Sequence, residues 1–150
     1  MLRLQENILV FYTGITRSAS TVLKSQQAGV AAQVSKQKML GRMVELARDL
    51  KTELEKNNLD AFGEIIHANW ELKKGLAREI STNVIDHWYS KARANGALGG
   101  KLLGAGTGGF LMFYGPRERH EAIAKALSKL RRIDFRFEPQ GSKIIFVHNE

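Results

Sequence analysis

The chain of 150 residues has no cysteine, which removes a disulfide scaffold, a thiolate metal site and a cysteine nucleophile together. It has only two prolines, and no repeat, low-complexity tract or linker breaks it, so one domain over residues 1–150 is expected. No apolar run approaches the about 20 residues of a membrane helix. The opening MLRLQENILVFYTG carries no small-residue cleavage pattern, so a leader is not expected and the default compartment is the cytoplasm. The four histidines, His67, His87, His120 and His148, are scattered, and none stands in an HExxH-like spacing, so no metal site is expected from them. No local pattern suggests a Ser–His–Asp arrangement, and no catalytic residue is assigned.

Acidic residues are also few: 15 against 23 Lys and Arg, for a net charge of +8. The excess is spread along the chain. It is densest at Arg117, Arg119, Lys125, Lys129, Arg131, Arg132 and Arg136, where Glu118 and Glu121 dilute it. A solvated helix face accounts for this better than a nucleic-acid footprint. With 43% hydrophobic and 25% charged residues, the chain has the composition of a packed globular protein.

What is present reads as alternating elements. Residues 7–12, NILVFY, are β-branched and aromatic and predict a strand ended by Gly14. SASTVLKSQQAG predicts a helix start, with Thr16 or Ser18 as its cap. Met39, Met43, Leu46, Leu50 and Leu54 recur every three or four residues and predict a helix from Ser35 to Lys56, stopped by Asn57 and Asn58. Asp60 is the expected cap of the next helix, whose stripe is Phe62, Ile65, Ile66, Leu72 and Leu76. Another helix opens at Ser81–Thr82 and stops at Asn95–Gly96. KLL and FLMFY predict short strands around the turn GAGTGG, and Pro116 precedes a helix with Ile123, Ala126, Leu127 and Leu130 on its buried side. DFRFE and KIIFV predict two closing strands. The order implies an α+β fold, an antiparallel or mixed sheet with helices on one face.

Eight of the 14 glycines fall within residues 96–115. Gly104, Gly106 and Gly109 fit G-x-G-x-x-G, but a strand follows the loop where a dinucleotide fingerprint needs a helix. No Lys-Ser or Lys-Thr pair follows it, so a Walker A loop fails too. A strand–glycine turn–strand remains. Its amides could converge on an anion, or it could be a tight hairpin under a helix.

GALGGKLLGAGTGGFLMFY resembles the third sequence motif of the GHMP kinases, and FYTGITRSAS, HANWELKKGLAREIS and IDHWYSKARANGALGGKLLGAG are similar to the C-terminal half of their heptose 7-phosphate kinase branch. Thr107 stands where that branch usually has glycine. The resemblance implies a ferredoxin-like sheet with added helices, and transfer of a phosphate from ATP, with Mg²⁺, to a sugar or sugar phosphate. It also implies an N-terminal domain whose phosphate-binding loop, of the G-L-G-S-S type, has no match in this chain. On this resemblance ATP and Mg²⁺ are held mainly by that absent half, the chain alone is expected not to be catalytic, and self-association through the exposed domain interface is a further expectation.

The same resemblance makes Gly104, Ala105, Gly106, Thr107, Gly108 and Gly109 the loop that walls the ATP cleft. Arg17 becomes an expected substrate residue, since a guanidinium forks onto a phosphate. His67, Trp70 and Lys74 share one side of a helix, and Trp70 beside Lys74, or beside Lys73 in its place, is expected to line a sugar pocket. A boundary histidine, a packing tryptophan and solvated lysines account for the same pattern. Asp86 is expected in a cap or an ion pair. A non-catalytic metabolite-binding or regulatory module of the same fold is the second reading. An RNA-binding sheet is the third, and no RNP-like aromatic motif supports it.

Overall fold

The computed structural model describes residues 2–16, 33–77, 80–104, 106–141 and 143. The elements are α1 (Leu2–Glu6), β1 (Ile8–Tyr12), α2 (Val34–Glu55), α3 (Leu59–Leu76), α4 (Asn83–Ala94), β2 (Gly99–Leu103), β3 (Phe110–Tyr114), a 3-10 turn (Arg117–Arg119), α5 (His120–Ala126) and β4 (Arg131–Ile133). The strands form one antiparallel sheet in the order β2-β3-β1-β4. That is the order of a ferredoxin-like sheet, with helices inserted between β1 and β2. The helix expected at SASTVLKSQQAG and all but Lys143 of the expected strand KIIFV lie outside the described residues.

Alternation along the strands gives the sheet two faces. Leu9, Phe11, Leu102, Leu111 and Phe113 point to one, where Ile85, Tyr89 and Ala92 of α4 and Ile123 of α5 meet them. Ile8, Val10, Met112 and Tyr114 point to the other, against Phe62 and Ile66 of α3 and Leu50 of α2. The sequence reading placed the helices on one face; they cover both. β1 therefore reads as a continuous apolar run, because neither of its faces meets water. Each large side chain buried in this way contributes about 1.5–3 kcal/mol.

Local chemistry sets the helix ends. α2 stops where Asn57 takes a φ of 58°, with Asn57 N donating to Leu54 O and Asn58 N to Glu53 O, the two bonds of a Schellman cap. α4 stops at Gly96 by the same pair of bonds, Gly96 N to Arg93 O and Ala97 N to Ala92 O. Thr82 caps the start of α4 by accepting from Ile85 N at 3.3 Å. Asp60 is not a cap: Asn58 holds that position, and Asp60 sits in the first turn, where its charge suits the helix dipole.

Two readings of the chain ends are corrected. α1 precedes β1 and was not anticipated. DFRFE does not form the strand expected of it; pairing with β1 ends at Val10–Ile133. Beyond Ile133 the chain splays from β1, leaving a gap of about 150 Å³. Phe135 packs on the Ile8–Val10 face, Phe137 stacks edge-on against it at 5.5 Å, and Phe137 N donates to Gln5 Oε1 at 2.7 Å instead of to a strand. The alternating phenylalanines mark a contact with each other, not a sheet face.

Candidate functional site

The loop from Gly104 to Gly109 joins β2 to β3. Gly104, Gly106, Thr107 and Gly109 have φ of 98°, 127°, 61° and 99°. Only glycine enters that region freely, so the composition of the loop follows from its path. Thr107 enters it with a branched side chain, buried to 1% exposure, its hydroxyl donating to Gly106 O at 2.8 Å. Its N–H donates to Ile80 O at 3.0 Å. Ala105 lies outside the described residues.

The far end of the loop is tied to the chain leaving β1. Thr13 donates to Gly109 O through both its N–H and its hydroxyl, at 2.9 Å each, and Gly109 N donates to Ile15 O at 2.9 Å. A Cβ on Gly108 would overlap the Ile15 carbonyl oxygen, so backbone meets backbone there. At the near end, Lys73 Nζ donates to Gly104 O at 3.2 Å. The loop is held by three separate segments. The N–H groups of Gly106 and Gly108 have no acceptor among the described residues.

Lys73 is thus placed at the rim of the loop from the last turn of α3. Burial, and next the charge of Lys101, hold its ammonium below the ordinary lysine range. Lys101, in β2 on the face that α3 covers, was missed in the sequence reading. The signal was available: a lysine in the middle of GGKLL interrupts a strand whose neighbours are apolar or glycine. Arg17 lies outside the described residues.

The other helix residues form a second group. Trp70 is 1% exposed, in the core, and its Nε1 has no partner among the described residues. Lys74 lies 6.0 Å from its ring centroid and 5.8 Å from that of Tyr89, and pairs with Glu71 at 2.8 Å and Asp86 at 3.6 Å. Asp86 also accepts from Ser81 Oγ at 2.9 Å. His67 Nδ1 and the Tyr89 hydroxyl are 2.8 Å apart, and that hydroxyl donates to Gly100 O at 3.3 Å. Burial pushes the Tyr89 phenol far above its ordinary range. The structure therefore separates Lys73, at the loop, from the paired Lys74 and the buried Trp70. A cavity of about 450 Å³ lies along this second group. No cluster of three or more His, Asp or Glu that could hold a metal occurs among the described residues.

The family profile described as GHMP kinases C terminal matches residues 50–133, which runs from the end of α2 to the end of β4. The D-glycero-alpha-D-manno-heptose 7-phosphate kinase of Campylobacter jejuni is 28% identical over 145 residues, covering 93% of this chain and 42% of its own. The galactokinase of Pyrococcus furiosus is 23% identical, over 81% of this chain and 41% of its own. The chain thus spans less than half the length of these curated relatives. Among solved structures, L. major mevalonate kinase in complex with R-mevalonate superposes with a TM-score of 0.76 at 24% identity, over 83% of this chain and 40% of that one. A Listeria innocua protein, Lin0012, gives 0.78 at 18% identity, over 86% and 38%. Both show the fold. No helix among the described residues is long and apolar enough to cross a membrane. With its matched profile, its sheet order and its glycine turn in agreement, this chain belongs to the GHMP kinases, as their C-terminal domain.

Proposed function

We propose that the chain is the C-terminal part of an ATP-dependent sugar kinase acting on a heptose phosphate-like acceptor, and that it transfers no phosphate alone. The observation that carries this is the glycine loop: a backbone wall fixed by three segments, with a lysine at its rim. In this reading Gly104, Ala105, Gly106, Thr107, Gly108 and Gly109 close one side of the ATP cleft. Fixed donors of this kind suit a transferring phosphate because they need no reorganisation during reaction. Lys73 faces the acceptor, Trp70 backs the same helix from the core, and Arg17 is carried by the resemblance alone. In this reading ATP and Mg²⁺ are held mainly by the N-terminal half, as the resemblance implies.

The test is a chimera in which this chain replaces the matched part of the Campylobacter jejuni kinase. ATP-dependent phosphorylation of a heptose phosphate by the chimera, with none by the 150-residue chain alone, is the expected result. A folded chimera without activity would sink the kinase reading in favour of a non-catalytic binding module, and transfer by the chain alone would overturn the prediction that it is inactive.

A further inference from the structure

A cavity of about 450 Å³ lies between α3 and α4, a size within the roughly 300–1,000 Å³ of small-molecule sites. Every side chain on its wall is charged or hydrogen-bonding, so an apolar molecule gains little there. Neither Lys73 nor any described residue of the glycine loop lines it. Its two ends differ. At one, the single ammonium of Lys74 serves two carboxylates, Glu71 at 2.8 Å and Asp86 at 3.6 Å. At the other is Arg93, two turns or about 10 Å further along α4 than Asp86. Its Nη1 donates to Ala97 O at 2.9 Å. Among the described residues no carboxylate lies within 4.0 Å of it. A guanidinium carries five N–H donors, so most of this fork is left for an anion.

Between the ends the wall offers acceptors. The Tyr89 hydroxyl gives its one proton to Gly100 O, so the proton between Tyr89 and His67 belongs to His67 Nδ1. In the neutral ring that leaves an acceptor lone pair at Nε2, which has no partner among the described residues. Glu71 meets Lys74 through Oε1, which leaves its Oε2. Such acceptors call for O–H or N–H donors. A second ammonium would be repelled by Lys74, whereas neutral hydroxyls would not.

We propose that this cavity binds a small hydroxylated anion, with Arg93 forked onto its carboxylate or phosphate and its hydroxyls donating to His67 Nε2 and Glu71. The planar guanidinium suits either acidic group, because two parallel N–H donors match two oxygens. The shared chemistry is an acidic group on a polyol, supplied by a sugar acid or by a sugar phosphate. The inference goes beyond the kinase reading and does not depend on it.

The experiment uses the 150-residue chain and follows the imidazole signals of His67 by NMR, assigned by their loss in His67→Gln. The probes are gluconate, glucose 6-phosphate and glucose, with chloride holding ionic strength constant. Expected is a saturable shift of the His67 signals by at least one of the two anions, with glucose binding about tenfold or more weaker. Tighter gluconate binding assigns the site to a sugar acid; tighter glucose 6-phosphate binding assigns it to a sugar phosphate. Arg93→Gln weakens the binding by about tenfold or more. Because Arg93 also holds Ala97 O, a second variant leaves it in place: Ser90→Leu, at an exposed position of α4 on the cavity wall, fills the space and weakens binding as well. Binding that survives either variant overturns the proposal. Glucose binding as tightly as the anions, or no shift with either anion, also overturns it. A shift that Lys73→Gln removes overturns it too, by placing the anion at the glycine loop. In every case the chimera judges the kinase reading separately.

Discussion

The carbonyl of Gly63 in α3 lies against the backbone of Gly99 in β2, closer than any side chain permits. A Cβ on Gly99 would overlap the Gly63 oxygen, and a Cβ on Gly63 would come within 2.6 Å of Leu98 Cβ. The helix can therefore lie flat on the edge strand of the sheet. That contact sets the height of α3, and with it the reach of Lys73 to the glycine loop.

Gly99→Ala should destabilise the fold by about 2 kcal/mol, because α3 must lift or β2 must shift. Gly41→Ala is the contrasting case. Gly41 lies within α2, and among the described residues nothing stands within 4 Å of where a Cβ would be. It should stabilise by about 0.5–1 kcal/mol through helix propensity. Urea midpoints of the two variants against the parent decide both.

Tyr89→Phe removes the hydroxyl that meets His67 Nδ1 and donates to Gly100 O. The expected loss is about 1–2 kcal/mol. The phenol also carries a pH signature. Its pKa is raised in the fold, so its contribution is complete below the unfolded tyrosine pKa and is lost as pH rises above it. Alkaline denaturation curves should show the parent losing stability with rising pH more steeply than Tyr89→Phe. Parallel curves would contradict this.

Lys101→Gln should raise the pKa of Lys73, since Lys101 is the second cause of its depression after burial. The sign follows from linkage. Folded Lys73 releases its proton at lower pH than unfolded Lys73, so stability rises with pH across that interval. Removing Lys101 narrows the interval and flattens the rise. NMR titration of Lys73, with the lysines ¹³C-dimethylated, in both proteins measures it.

Gly108→Ala forces a Cβ onto the Ile15 oxygen and should cost about 1–3 kcal/mol while displacing the loop. In the chimera, phosphate transfer should fall more than stability accounts for, judged at a temperature where the variant is fully folded by circular dichroism. Unchanged transfer would remove the loop from the site.

The helical part of the fold was legible because its signals are local. The spacing from Met39 to Leu54, the Thr82 cap and the Asn95–Gly96 stop each act within one or two turns. The β2–β3 hairpin was legible for the same reason. The strand expected at DFRFE was not: Phe135 and Phe137 alternate as a strand does, but Phe135 packs on the Ile8–Val10 face and the Phe137 N–H donates to Gln5 of α1. The covering of both sheet faces was equally hidden, since nothing local in α2 or α3 says which face they pack on. At the site, the glycine run announced a special backbone path, whereas the hold of Lys73 on Gly104 O joins residues 31 apart and has no local signal.

A run of glycines carries the largest conformational entropy of any segment when released. Here Thr107 N and Gly109 N are donors to Ile80 and Ile15, residues some 27 and 94 positions away in sequence. Releasing either amide means separating the loop from a segment that belongs to the packed core. Those two amides should therefore exchange hydrogen with solvent at the rate of core strands rather than of surface turns. The flexibility that glycine supplies is spent on reaching an unusual path, and little remains for motion along it.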